Sequence, residues 1–178
     1  MTIGRVVGPV AVRPVAVRPV ADDQWSIVAW LWQAFRHDLA PVVQAFPYAD
    51  GRYNHDWVDQ YPGPGRTGYL AWSPHPNTGE DAPVAFALLK GLDGDRIEFA
   101  SFFVVPVTRR GGLGRSVALD VIRRHPGAWE VAFQHDNADA GRFWRRVATE
   151  AWADGWTETE EQVPDRHAAP PDHWIRTT

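Results

Sequence analysis

The chain has 178 residues, 44% of them hydrophobic and 22% charged, with a formal net charge of −4 and a pI near 5.9. That is the make-up of one globular domain with a sizeable core, and it argues against a protein held to nucleic acid by phosphate contacts. Cysteine is absent, which excludes disulfides, zinc-thiolate sites and a cysteine nucleophile; no apolar stretch approaches the ~20 residues of a membrane span, and Arg5, Arg13 and Arg18 interrupt any signal-peptide pattern, so the expected location is cytoplasmic.

Residues 1–10 read as a loose tail, and residues 11–178 as a single domain. Residues 11–20 repeat a pentad, Ala11-Val-Arg-Pro-Val and Ala16-Val-Arg-Pro-Val. One copy supplies a first strand, and Pro14 and Pro19 confine it to an edge or to strand ends. The alternation is the same in both copies and does not say which one pairs. Asp22 and Asp23 can cap a helix whose apolar face is Trp25, Val28, Trp32 and Phe35. Residues 40–61, punctuated by Pro41 and Pro47, are a second helical or irregular stretch. Their aromatic and acidic mixture suits either a helix pair packed on the core or the wall of a substrate pocket.

Strands are expected at Thr67–Ser73 and Pro83–Lys90, the second joined to the next apolar run by a turn with the hairpin signal Asp93-Gly94. That run, residues 96–105, is rich in Phe, Val and Ile, which suits a buried strand. Residues 106–112, from Pro106 to Gly111-Gly112, form a loop. From Leu113 the apolar positions Val117 and Val121, with Ala118 and Ile122 beside them, have helical spacing, and Pro126 stops the helix. A strand follows at Ala128–Phe133. Asp136 or Asn137 then caps a helix with Ala140, Phe143, Trp144, Val147 and Ala151 on one side. Residues 156–163 and 173–177 read as two last strands. The order is β-α-α-β-β-β-α-β-α-β-β, a mixed sheet covered by helices.

The strand, glycine-rich turn and helix of residues 95–125 make an anion site. A helix opens with free N–H groups at the positive end of its dipole, and glycines let the backbone come close to a phosphate. The motif is neither a P-loop nor a Rossmann fingerprint. On strand alternation, Glu98 shares a face with Ala100, Phe102 and Val104, opposite Phe99, Ser101, Phe103 and Val105. A carboxylate on so apolar a strand stands out as a candidate for proton transfer.

With this order in place, the sequence resembles the GNAT family of acetyl-CoA-dependent N-acyltransferases. The resemblance covers roughly residues 15–177 in layout, and its specific part is residues 96–148. The family's Gln/Arg-x-x-Gly-x-Gly/Ala signature stands as Arg109-Arg110-Gly111-Gly112-Leu113-Gly114. Its second signature stands as Asn137, Ala140 and the aromatic pair Phe143-Trp144. The resemblance implies an α/β (α+β) fold: a mixed, mostly antiparallel sheet of about seven strands flanked by about four helices, with strands four and five splayed. It implies that the backbone around Val107 and from Arg110 to Arg115 holds the CoA pyrophosphate, with Arg110 and Arg115 adding charge and Arg109, the signature's first position, among the cofactor-binding residues. Phe103, Val104 and Val105 would offer backbone groups to the pantetheine arm, with Asn137 bonding it and Phe143 and Trp144 packed nearby.

Some members keep a general-base glutamate where Glu98 stands. Many have a Tyr as general acid in the aromatic pair, where this chain has Trp144. An indole cannot deliver a proton in this pH range. His135 and Ser101 are the candidates to replace it. The implied function is transfer of an acetyl group from acetyl-CoA to an amine of a small molecule or peptide, with no metal, nucleic acid or membrane involved. Homodimers are common among such proteins. The alternative is a non-catalytic acyl-CoA-binding protein of the same fold. A cationic acceptor would suit Asp50, Asp56, Asp59 and Glu98 if they face the cleft.

Overall fold

A computed structural model of the chain describes residues 15–163 and 170–178. The expected tail at residues 1–10 lies outside the described residues, as does most of the first pentad copy. The second copy forms β1 (Ala16–Pro19), an edge strand whose Ala16 pairs with Trp72 and Pro19 with Tyr69 of β2 (Thr67–Pro74). Pro19 closes the ladder, as a residue without an N–H should. β2 pairs antiparallel with β3 (Asp81–Lys90), and β3 with β4 (Arg96–Val104). β4 runs parallel to β5 (Ala128–Gln134), and β7 (Asp172–Thr177) lies antiparallel between β5 and β6 (Trp156–Glu161). The sheet order is β1-β2-β3-β4-β5-β7-β6.

Helix α1 (Trp25–Val43) covers one face of the sheet; α2 (Leu113–Arg124) and α3 (Ala138–Trp152) cover the other. Val28 and Trp32 of α1 pack with Leu70, Phe86, Leu88 and Phe103. On the opposite face, Ala118, Val121, Trp144 and Val147 pack with Ala87, Leu89, Phe99, Trp129 and Val131. Residues 84–89 of β3 are buried throughout, as expected of a strand covered on both faces. Each fully buried Leu, Val or Phe contributes roughly 1.5–3 kcal/mol, so this double-sided core carries the fold.

The structure departs from the sequence reading in its helices and in one strand: Asp22 and Asp23 lie in a 3-10 turn, Asp22–Gln24, and do not cap α1, whose N-cap is Gln24 with no side-chain capping bond. The described residues hold three α-helices, not about four. Helix α1 runs on through Pro41 to Val43 and ends where Gln44 turns left-handed at φ 52°. Pro41 stands in the last turn, so the backbone bond its missing N–H forgoes is at the end of the helix. Residues 44–61 are then irregular apart from one 3-10 turn, Val58–Gln60. They are held by bonds onto α1: Trp32 Nε1 donates to Asn54 O at 2.7 Å, and Gln33 bridges the Tyr53 N–H and C=O at 2.7 and 3.0 Å. Backbone groups satisfied in this way have no need of a helix.

The second departure is a β-bulge. Leu88 pairs with Ser101 and Leu89 with Phe99, which leaves Ala100 without a partner in the ladder. One extra residue reverses the alternation beyond it. Glu98 therefore shares the α1 face with Ser101 and Phe103, while Phe99 lies with Phe102 and Val104 on the face of α2 and α3. The regular alternation expected from sequence put Glu98 with Phe102 and Val104. The bulge corrects that.

Candidate active site

β4 and β5 part. Their ladder runs from Arg96–Ala128 to Phe99–Val131 and stops, although β4 continues to Val104 and β5 to Gln134. Beyond that point a pocket of about 100 Å³ opens between them, lined by Phe99 to Phe102 and by Val131 to Gln134. It adjoins a cleft of about 500 Å³ and shares Phe35, Leu39, Phe102, Asn137, Ala140 and Trp144 with it. Val104, Arg109, Arg110, Gly114 and Phe143 complete one wall of the cleft; Asp38 and Val42 of α1 form the other. A cleft of this size with a mostly apolar lining suits a cofactor arm.

Val105 N donates to Val84 O at 2.9 Å. Since backbone groups alternate sides along a strand, Val105 and Phe103 address β3, whereas Phe102 and Val104 address the gap. Of Phe103, Val104 and Val105, only Val104 thus offers its backbone to an occupant, and Phe102 joins it. Val104 O already accepts from Arg109 Nε at 2.7 Å.

The turn into α2 is strained where it meets the cleft. Arg110 sits at φ 66° and Gly112, the N-cap, at φ 84°. The left-handed region is free for Gly112 and costs Arg110 about 1–2 kcal/mol. No side chain caps α2, so the amides of Leu113, Gly114 and Arg115 have no intrahelical or capping partner. A Cβ on Gly114 would stand 3.1 Å from Val104 Cγ2 and 3.4 Å from Phe143 Cε2, so glycine is what lets the helix lie this close to β4 and α3. Gly111 precedes this cap, and Val107 is exposed on a 3-10 turn, Pro106–Thr108.

The three arginines of the turn differ. Arg109 donates to Asp38 Oδ2 at 2.7 Å and lies 5.4 Å over the Phe103 ring, tying the turn to α1. Arg115 is paired with Glu150 of α3 at 2.6 Å. Arg110 lines the cleft and has no ion pair among the described residues.

Asn137 caps α3, its Oδ1 accepting from Ala140 N at 3.2 Å while its Nδ2 donates to Gln134 Oε1 at 3.3 Å. It lines both the cleft and the gap. Phe143 stacks on Phe102 with centroids 5.4 Å apart, and Trp144 is buried against Phe99 at 4.9 Å. Trp144 is thus mainly a core side chain with one edge on the cleft.

Glu98 lies just below the parting point, with 13% of its side chain exposed and an ion pair to Lys90 Nζ at 2.9 Å. Lys90 also stands 5.2 Å from the Trp57 ring. Glu98 lines neither the cleft nor the gap. Nearby Tyr61 is buried, its hydroxyl has no protein partner, and burial, assisted by the charge of Glu98, pushes its pKa up to about 12. Ser101 lines the gap, and its Oγ donates to Ala100 O at 2.7 Å. His135 lines neither space; its Nδ1 lies 3.0 Å from His173 Nε2.

Asp50, Asp56 and Asp59 do not face the cleft. Asp50 pairs with Arg52, Asp56 accepts from Asn54 at 3.0 Å, and Asp59 lies 2.9 Å from His55. The carboxylate on the cleft's α1 wall is Asp38, which the sequence reading missed. Its one sequence signal is its spacing three residues after Phe35, which turns it to the same side of α1.

No protein-family profile matches the chain, and no curated protein is detectably similar to it. Solved structures are similar in fold. Arabidopsis thaliana NAA60 in complex with acetyl-CoA superposes with a TM-score of 0.62 at 11% identity, covering 92% of this chain and 97% of that one. The ribosomal-protein-S18-alanine N-acetyltransferase of Escherichia coli gives 0.58 at 14%, covering 92% of each chain. A GNAT-family acetyltransferase of Staphylococcus aureus Mu50 gives 0.60 at 11%, covering 92% and 98%. The chain has the GNAT fold: a seven-stranded mixed sheet with its one parallel pair, β4 and β5, splayed. Among the described residues, no helix is long and apolar enough to cross a membrane.

Proposed function

We propose that the protein is an acetyl-CoA-dependent N-acetyltransferase that moves an acetyl group directly from CoA to an amine of a small molecule or peptide. The observation that carries this reading is one continuous space onto which both the uncapped start of α2 and the open edge of β4 face. The first suits a pyrophosphate and the second an amide-bearing arm. The acetyl-CoA and N-acetyl transfer named for the fold's solved relatives point the same way.

In the reaction, the amine nitrogen forms a bond to the thioester carbonyl carbon, the C–S bond breaks and sulfur leaves as thiolate, and the ammonium formed gives up a proton. The amides of Leu113 to Arg115, with Arg110, hold the pyrophosphate. Phe102 and Val104 present backbone groups to the pantetheine, Asn137 closes the other side, and Phe143 and Trp144 pack beside it. Glu98 lies outside the gap, so it would take the ammonium proton only through bridging water. Ser101, whose hydroxyl is already in the gap, is best placed to hydrogen-bond the leaving thiolate, which takes its proton from solvent. The Asp38 carboxylate in the α1 wall is paired with Arg109 at 2.7 Å, so an amine acceptor would meet it as part of an ion pair. The setting is the cytoplasm.

A second reading, a non-catalytic acyl-CoA binder, is favoured by a specific observation. Trp144 stands buried where a proton-donating Tyr would otherwise stand, and Glu98 is engaged by Lys90. Release of free CoA thiol from acetyl-CoA across a panel of amines separates the two, with CoA titration by calorimetry alongside. Turnover with any amine supports the enzyme. CoA binding with silence across the panel supports the binder. No CoA binding sinks both.

A further inference from the structure

At the far end of β5 the sheet carries a second constellation. His135 follows β5, His173 stands in β7 and Glu160 in β6. The His135 Nδ1 and His173 Nε2 atoms are 3.0 Å apart, and Glu160 Oε1 is 3.9 Å from His173 Nε2. One ligand atom from each residue lies within 4.8 Å of the other two.

The orientation of His173 is built. Its ring is stacked on Phe133, with centroids 5.1 Å apart and planes 6° apart. Its Nδ1 lies 2.7 Å from Glu158 Oε1, and Glu158 in turn accepts two bonds of 2.7 Å from Arg145. Arg145 keeps Glu158 a carboxylate, so His173 donates through Nδ1–H. In the neutral ring this leaves the lone pair on Nε2, the nitrogen that faces His135 and Glu160. A carboxylate behind a histidine is the arrangement that orients a metal-binding imidazole. Ligand atoms bound at about 2.0–2.1 Å on a tetrahedral ion are about 3.3 Å apart. The two nitrogens already stand near that spacing, and Glu160, exposed on an edge strand, need only swing inward by about 1 Å.

We propose that His135, His173 and Glu160 bind one divalent transition metal ion of the zinc class, with water in the remaining position. Two imidazoles and a carboxylate, without thiolate, suit Zn²⁺, Co²⁺ or Ni²⁺. Each ligand comes from a different strand or strand end. The ion clips the edge strand β6 and the start of β7 to the end of β5, beside Gln134 and Asp172. This site is independent of the acetyl-transfer reading, since none of its ligands lines the cleft.

The test is titration of the chelator-treated full chain with Zn²⁺ and Co²⁺. The expected result is one equivalent bound with micromolar Kd, visible Co²⁺ bands of a four-coordinate site, and a Tm raised by about 5 °C at a hundredfold excess over Kd. His135→Ala and Glu160→Gln change exposed side chains, and each weakens binding at least about tenfold; His75→Ala leaves it unchanged. Imidazole NMR of the parent protein gives a readout free of any folding effect, because the ring nitrogens of His135 and His173 shift together on adding Zn²⁺. Absence of a bound equivalent, binding indifferent to both substitutions, or unmoved ring nitrogens would each overturn the site and leave the acetyl-transfer reading untouched.

Discussion

The two walls of the cleft are built from different materials. The donor wall is mostly backbone: the uncapped amides of α2, the open edge of β4, and glycines where a Cβ would meet Val104 and Phe143. The α1 wall is side chains on a helix, backed by an irregular segment that is docked by the Trp32 indole and the Gln33 amide. Backbone chemistry is the same whatever the sequence, provided glycine stands where it must. Side-chain chemistry has no such fixed grammar. The first wall therefore follows from the pattern of the sequence, and the second does not.

The strongest test of this contrast separates turnover from binding. Glu98→Gln removes a proton acceptor on the α1 face while leaving the donor wall intact. Turnover is expected to fall about 10²–10⁴-fold with CoA affinity unchanged. An unaltered kcat in the variant would remove Glu98 from the reaction.

Gly114→Val works on the other wall. The new side chain meets Val104 and Phe143 at close range, and the helix must shift by a few tenths of an ångström. Overpacking costs about 1–3 kcal/mol. We expect CoA affinity to drop about 10–100-fold as α2 lifts from β4. Parent-like affinity in calorimetry would show that the amides of α2 do not need this approach.

The arginines sharpen the contrast within the donor wall. Arg110→Ala removes the one turn arginine without an ion pair among the described residues and keeps the strained backbone; its loss should weaken CoA binding about tenfold, a charge-assisted bond being worth about 1.5–3 kcal/mol. Arg115→Ala removes a side chain already paired to Glu150, with both partners about two-fifths exposed. Its effect on CoA should stay within about threefold. Equal losses in the two variants would mean that Arg115 exchanges Glu150 for phosphate.

The same contrast governs how much of the molecule was legible in its sequence. The strand, turn and helix of residues 96–124 were legible because apolar periodicity and glycine spacing carry backbone requirements directly. So was the edge position of β1, from Pro19. The reversal of faces at Ala100 was not, because a bulge is a matter of pairing with β3 and leaves the local alternation of β4 looking regular. The pairing of Glu98 with Lys90 was hidden for the same reason: the two meet only across the β3–β4 register. Residues 44–57 read equally as helix or wall, since their order comes from hydrogen bonds to α1 some twenty residues away.

The smallest expected effect probes the least legible part of the acceptor side. Tyr61 is buried between Trp25 and the Arg66 side chain, and its hydroxyl has no protein partner. With a pKa pushed up to about 12 by burial, it stays a neutral phenol throughout the working pH range. A buried hydroxyl left unpaired costs about 1–3 kcal/mol, so Tyr61→Phe, which removes the oxygen and keeps the ring, should raise Tm by about 2 °C or leave it unchanged. Because Tyr61 lines neither the cleft nor the gap, KM for the amine should not move. A Tm lowered by several degrees would show a satisfied hydroxyl. A raised KM at unchanged Tm would instead make that hydroxyl a contact for the acceptor and extend the acceptor side from α1 to the 3-10 turn at Val58–Gln60.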